Sequence, residues 1–136
     1  MMRLRKLSVG TWSVLALVEA DGNCALDDEI RALYSAKQTK ATAVGLFALW
    51  RQIPAEGPRK LGTDLYHQLD SANEIYEFLK GNHRVLCFQT GGRVVLCSHL
   101  IRKKRNTVPA REIAKAVRLR NEYLVAMGAN EVVIEE

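Results

Sequence analysis

Residues 73–104 read NEIYEFLKGNHRVLCFQTGGRVVLCSHLIRKK, and the placement of the turn residues in this stretch decides the fold. Runs rich in β-branched, aromatic and aliphatic residues at 84–89 and 93–100 flank Gly91-Gly92, a two-residue link of the kind that closes a β-hairpin. A looser turn at Gly81-Asn82 precedes it, so three strands follow one another. A two-residue turn at Gly91-Gly92 sets the partners across the ladder: Thr90 faces Arg93, Phe88 faces Val95, Leu86 faces Cys97 and Arg84 faces His99. A guanidinium and an imidazole then share one face within cross-strand reach. A two-residue turn at Gly81-Asn82 adds Glu77 and Leu79 to that face, and alternation along the last strand adds Lys103. Val85, Cys87, Val94, Leu96 and Ser98 form the other face, which is expected to be the core side.

Composition narrows the function classes. The 136 residues suffice for one domain with a real core. The 48% hydrophobic and 26% charged content is that of an ordinary globular chain rather than a disordered one. A net charge of +5 and a pI near 9.3 make a polyanion a natural partner. Cys24, Cys87 and Cys97 are odd in number and lack metal-site or disulfide spacing, which points to a reducing compartment and to small buried hydrophobes, with Cys87 and Cys97 expected on opposite faces. With only His67, His83 and His99 available and no clustering of ligands, no metal site is expected. Arg3, Arg5 and Lys6 ahead of residues 9–18 superficially mimic a secretory signal, but Gly10, Thr11 and Ser13 dilute the apolar run, and no run approaches the roughly 20 apolar residues of a membrane span.

Before the three strands, residues 12–19 read as a strand closed by Asp21-Gly22-Asn23. Two helices follow. The first is capped by Asp27 or Asp28, carries Ile30, Leu33 and Tyr34 on one stripe and ends near Lys37. The second opens at Thr39 or Lys40, packs Leu46, Phe47, Leu49, Trp50 and Ile53, and stops at Pro54. Residues 55–63 form a loop exposing Arg59 and Lys60. His67 in LYHQL carries no evident role. After the strands come Arg102, Lys103, Lys104 and Arg105, then a helix that begins at Pro109 and ends at Gly128. Its Ile113, Val117 and Leu124 are expected to face inward, while Arg111, Lys115 and Arg118 make a second stripe suited to phosphate; Glu112 is the one acid between residues 102 and 120.

Ile75-Tyr76-Glu77, Arg84-Val85-Leu86-Cys87-Phe88, Val94-Val95-Leu96 with His99, and Lys103-Lys104 followed by Pro109, Glu112 and Ala116 together resemble the RelE/HigB toxin superfamily, most closely its phage-derived HigB-like branch. The likeness covers residues 75–116, and the preceding strand and helices agree with it in order. It implies the toxin component of a type II toxin–antitoxin system: a cytoplasmic, metal-independent messenger-RNA endonuclease, translation-dependent and ribosome-associated, without cofactor or membrane partner and neutralised by a helix-turn-helix antitoxin. Leu79 stands where that branch usually has Arg, and Cys87 where it usually has Tyr.

In such cleavage the substrate's 2'-hydroxyl attacks the adjacent phosphate, which calls for a proton acceptor, cations against the growing negative charge and an acid for the leaving oxygen. Arg84 can hold phosphate through its forked donors and Lys103 adds a point charge. His99 suits proton transfer, and Glu77 is either a base or an orienter of Arg84. These four form the expected catalytic set. Lys80, His83, Arg102, Lys104, Arg105, Arg111, Lys115 and Arg118 are the expected RNA-binding residues, Lys80 and His83 lying nearest to the cation missing at Leu79. The same scaffold with its nuclease weakened, serving only to bind RNA or antitoxin, is the alternative. The expected architecture is one α+β domain, residues 1–136 with a short tail at 129–136. Its order is strand, two helices, three-stranded meander, helix (β-α-α-β-β-β-α), RelE-like, with a small antiparallel sheet covered by helices on one face and the first strand at its edge.

Overall fold

A computed structural model describes residues 1–103 and 107–135 of the chain. The elements are β1 (Met2–Ser8), β2 (Ser13–Val18), α1 (Ala25–Ser35), α2 (Lys40–Glu56), a 3-10 turn (Pro58–Leu61), β3 (Tyr66–Asp70), β4 (Ile75–Lys80), β5 (His83–Thr90), β6 (Val94–Arg102), α3 (Ala110–Gly128) and β7 (Val132–Glu135). They make a mixed α+β fold around one seven-stranded sheet of order β3-β4-β5-β6-β2-β1-β7. This is larger than the small antiparallel sheet expected. The strand at 12–19 is present as β2, but it lies inside the sheet rather than at its edge. It runs parallel to β6, from Ser13 opposite Val94 to Ala16 opposite Cys97, because the two helices return the chain to the end where β2 finishes and the three antiparallel strands β3, β4 and β5 then bring it back to the end where β2 begins. MRLRKLS forms β1, an antiparallel partner of β2. The expected tail forms β7, parallel to β1, with Glu135 paired to Arg3 and Arg5.

Helices cover both faces, not one. Ile30, Leu46, Trp50 and Ile53 of α1 and α2 pack against Val14, Phe78, Val85, Cys87, Val95 and Cys97, with Trp50 edge-on to Phe78 at 5.1 Å. Ala116, Leu119 and Tyr123 of α3 pack on the opposite face against Leu4, Leu15, Ile75, Leu86, Phe88 and Leu96. The two-sided core explains why residues expected on one face divide: Val85 and Cys87 face α1 and α2, whereas Val94 and Leu96 face α3. On α3, Ile113 and Val117 are only half-buried and Leu124 is exposed. The helix seats its small Ala116 deepest, and that sets the roll. α2 runs two residues past Pro54 and ends at Gly57, whose N–H bonds Ile53 O at 2.8 Å.

The β4–β5 hairpin has the two-residue Gly81-Asn82 turn, with Lys80 opposite His83 and Glu77 opposite Leu86. The β5–β6 hairpin departs from expectation twice. Arg93 takes a left-handed φ of 61° after Gly92 at 82°, so the loop holds three residues and Thr90 faces Val94. A bulge then inserts Ser98: Cys87 faces Cys97, but Leu86 faces His99. Cys87 and Cys97 therefore lie opposite each other on the same face as free, buried thiols, contrary to the opposite-face expectation.

Candidate functional site

One slip of register turns a side chain to the other face, and two slips turn it back. Arg84 and His99 consequently share the α3 face, as expected, but they are not partners: Arg84 faces Ile101, while His99 faces Leu86. Successive pairings draw a row across four strands, His67–Glu77–Leu86–His99. Leu86, fully buried, stands between the carboxylate and the imidazole. The expected quartet is thus divided into two groups.

The first group is Glu77 with Arg84 and His67. Glu77 is 1% exposed. Arg84 Nε lies 3.3 Å from its Oε1 and His67 Nε2 lies 2.7 Å from its Oε2. These are close contacts without the alignment of hydrogen bonds, since neither carboxylate oxygen has an aligned donor. Arg84 is also tied to the backbone: Nη1 donates to Gly81 O at 2.8 Å and to His83 O at 2.9 Å. A guanidinium anchored in this way, its side chain 13% exposed, presents little surface to a phosphate. His67 had no visible role in the sequence; only the β3 pairing brings it to Glu77.

The second group surrounds His99, which is 8% exposed. Its Nδ1 shares a 2.8 Å hydrogen bond with Ser98 Oγ, the residue inserted by the bulge. Its Nε2 lies 3.5 Å from Glu112 Oε1 on the first turn of α3. Burial and the Lys115 ammonium push the imidazole below its ordinary pKa, against the opposing pull of Glu112. Glu112 also lines a cleft of about 530 Å³ with Lys103 and Arg111, walled by Ile101, Arg102, Thr107 and Pro109. On the other side of His99, a smaller hollow opens where β2 and β6 part beyond Ala16 and Cys97. There Lys115 and Arg118 face Glu19, Glu29 and Glu122, so two of the expected RNA-binding cations confront acids. Glu112 was visible in the sequence as the lone acid of a basic run; its pairing with His99 required the roll of α3.

Lys80 and His83 lie on the α1–α2 side of the sheet, away from His99. The Lys80 stem covers Gly45 of α2, and His83 is buried, its pKa lowered by burial and by Arg102 and Arg84. Arg102 faces His83 at the strand end while also reaching the cleft wall. Lys104 and Arg105 lie outside the described residues.

Against models of known families, residues 25–121 match the family described as Phage derived protein Gp49-like (DUF891). The chain belongs to this family. Gp49-like proteins are a toxin–antitoxin-related family of RelE-like toxins. The match runs from the start of α1 past the middle of α3 and includes both groups around Glu77 and His99, leaving β1, β2 and β7 of this Gp49-like chain outside it. Comparison with curated proteins found no match. Among the described residues no helix is long and apolar enough to cross a membrane.

Proposed function

We propose that this Gp49-like protein is the toxin of a type II toxin–antitoxin pair of the HigB-like kind, cutting messenger RNA in the cytoplasm during translation on the ribosome. Its antitoxin is a helix-turn-helix protein. The observation that carries the reading is His99, which lines the hollow with Lys115 and is held between Ser98 and Glu112, the glutamate that also lines the cleft bearing Lys103 and Arg111. An imidazole with a lowered pKa is neutral near pH 7 and able to accept a proton. Nδ1 is occupied by Ser98 and Nε2 is buried against Glu112, so the carboxylate that lines the cleft takes the proton of the attacking 2'-hydroxyl, shares it with Nε2, and the pair returns it to the leaving 5'-oxygen. Lys103 and Arg111 oppose the charge that builds on the phosphate. Glu77 and Arg84, on the same face but beyond Leu86, brace the sheet rather than touching RNA.

A second reading has its own observation. Leu79, where the resembling branch carries Arg, lies directly opposite Arg84, whose Nη1 is taken up by two backbone carbonyls. A scaffold short of two cations fits a protein that grips RNA or antitoxin without cutting. Induced expression separates the readings. Growth arrest with cut transcripts, both lost in His99→Ala combined with Arg111→Ala while the protein stays folded, supports cleavage. Harmless wild-type expression, with transcripts intact in the presence of ribosomes, leaves binding alone.

A further inference from the structure

Burying a carboxylate among apolar side chains costs several kcal/mol unless partners compensate. Glu77 nevertheless sits 1% exposed in the middle of β4, between Ile75 and Leu86 of the α3-side core. It is too far from the cleft to meet a substrate there, because Leu86 lies between it and His99 in the cross-strand row. What it does hold is Arg84. Arg84 in turn bridges two carbonyls that flank the β4–β5 turn, Gly81 O and His83 O. Gly81, at the first central position of that turn, has φ +57°, the left-handed conformation that primed hairpin turns require. Between those two carbonyls, Asn82 O accepts the N–H of Lys103 at 2.7 Å. That bond is one rung beyond the last β5–β6 pair, His83 with Arg102.

We propose that Glu77 and Arg84 are positioning residues that act through the Gly81-Asn82 turn to fix the backbone of Lys103 at the mouth of the cationic cleft. The proposal rests on the nuclease reading for the use to which Lys103 is put, but the mechanical link stands without it. Each step is a contact: carboxylate to guanidinium, guanidinium to the two turn carbonyls, turn carbonyl to the Lys103 amide. Lys103 lies past the end of β6, where no further strand pairing restrains it. A turn free to rock would spread the ammonium over a wider volume, and a misplaced charge is worth much less to a phosphate than an aligned one. The arrangement also explains why an arginine is used. A lysine could neutralise Glu77 but could not serve both carbonyls while doing so.

Amide hydrogen exchange of the full-length protein reads the link directly. In Glu77→Gln, which keeps the volume and removes the charge, the Lys103 amide should exchange about tenfold faster while the Leu86 and Phe88 amides keep their protection. Arg84→Lys, which leaves Glu77 paired, should give the same selective loss and serves where Glu77→Gln does not fold. Binding of a mixed-sequence single-stranded RNA oligonucleotide should weaken in both variants, and Lys103→Ala should abolish the difference between Glu77→Gln and wild type. A Lys103 amide as protected in a folded variant as in wild type overturns the proposal. A loosened Lys103 with unchanged RNA affinity upholds the link and instead overturns the role of Lys103 in the nuclease reading.

Discussion

Leu86 lies directly opposite His99 across the β5–β6 ladder, two positions from where a two-residue turn at Gly91-Gly92 would have set the imidazole. That fully buried leucine separates the Glu77–Arg84 pair from the His99–Glu112 pair. Leu86→Ala should cost about 2–5 kcal/mol of stability, the range for removing most of a buried leucine, read from the midpoint of urea unfolding. A cost well under this range would mean that α3 collapses onto the sheet and closes the gap.

His99 and His83 are both held below the ordinary imidazole value of 6.5, in each case chiefly by burial. The sign follows from linkage. Above about pH 6.5 both states carry neutral imidazoles and the histidines contribute no pH dependence. As pH falls below that value the unfolded chain takes up protons that the folded chain refuses until its own lower pKa is reached, so stability declines through that window. Thermal unfolding followed from pH 7.5 to pH 5 should show this loss, reduced in His83→Asn and in His99→Asn. An unchanged slope in both variants would assign the acid sensitivity to other groups.

How much of this was legible in the sequence depends on how local each signal is. Thr39 or Lys40 marks the start of α2, and Pro109 and Gly128 mark the two ends of α3, to within a residue or so, because capping chemistry acts over one turn. Gly81-Asn82 fixed the β4–β5 register for the same reason. The β5–β6 register was misjudged because Arg93 takes up a left-handed conformation that is not expected of an arginine, and because nothing local marks Ser98 as the inserted residue of a bulge. The two errors cancelled in parity, which kept Arg84 and His99 on one face and lost their contact. β1 and β7 escaped notice because their pairing is non-local: alternating Arg3, Leu4 and Arg5 resembled a leader, and a four-residue strand resembled a tail.

Gly57 closes α2 at φ +87°, and a side-chain carbon there would sit 2.7 Å from the Trp12 ring. Gly57→Ala therefore meets backbone strain and a steric clash together. It should destabilise by about 1–3 kcal/mol from strain alone, measured by thermal unfolding, with a shift in Trp12 fluorescence reporting the displaced ring. Gly62→Ala, at φ +82° but with open space around it, should show the strain without the fluorescence change.

The division of the cations between the two sides of the sheet gives the test that bears most directly on function. Lys103 and Arg111 line the cleft beside Glu112, whereas Lys80 lies along Gly45 of α2 on the far side. If RNA follows the cleft, Arg111→Ala and Lys103→Ala should each weaken binding of a single-stranded RNA. Each should also lower the slope of log K against log salt by about 0.7, one phosphate contact on a single strand. Lys80→Ala should leave both quantities at their wild-type values. Lys115→Ala should fall between them, because the acids Glu19 and Glu29 that share its hollow already oppose part of its charge. Equal losses from Lys80→Ala and Arg111→Ala would mean that RNA wraps around the β4–β5 turn instead of lying in the cleft, and the His99–Glu112 pair would then lie away from the bond that breaks.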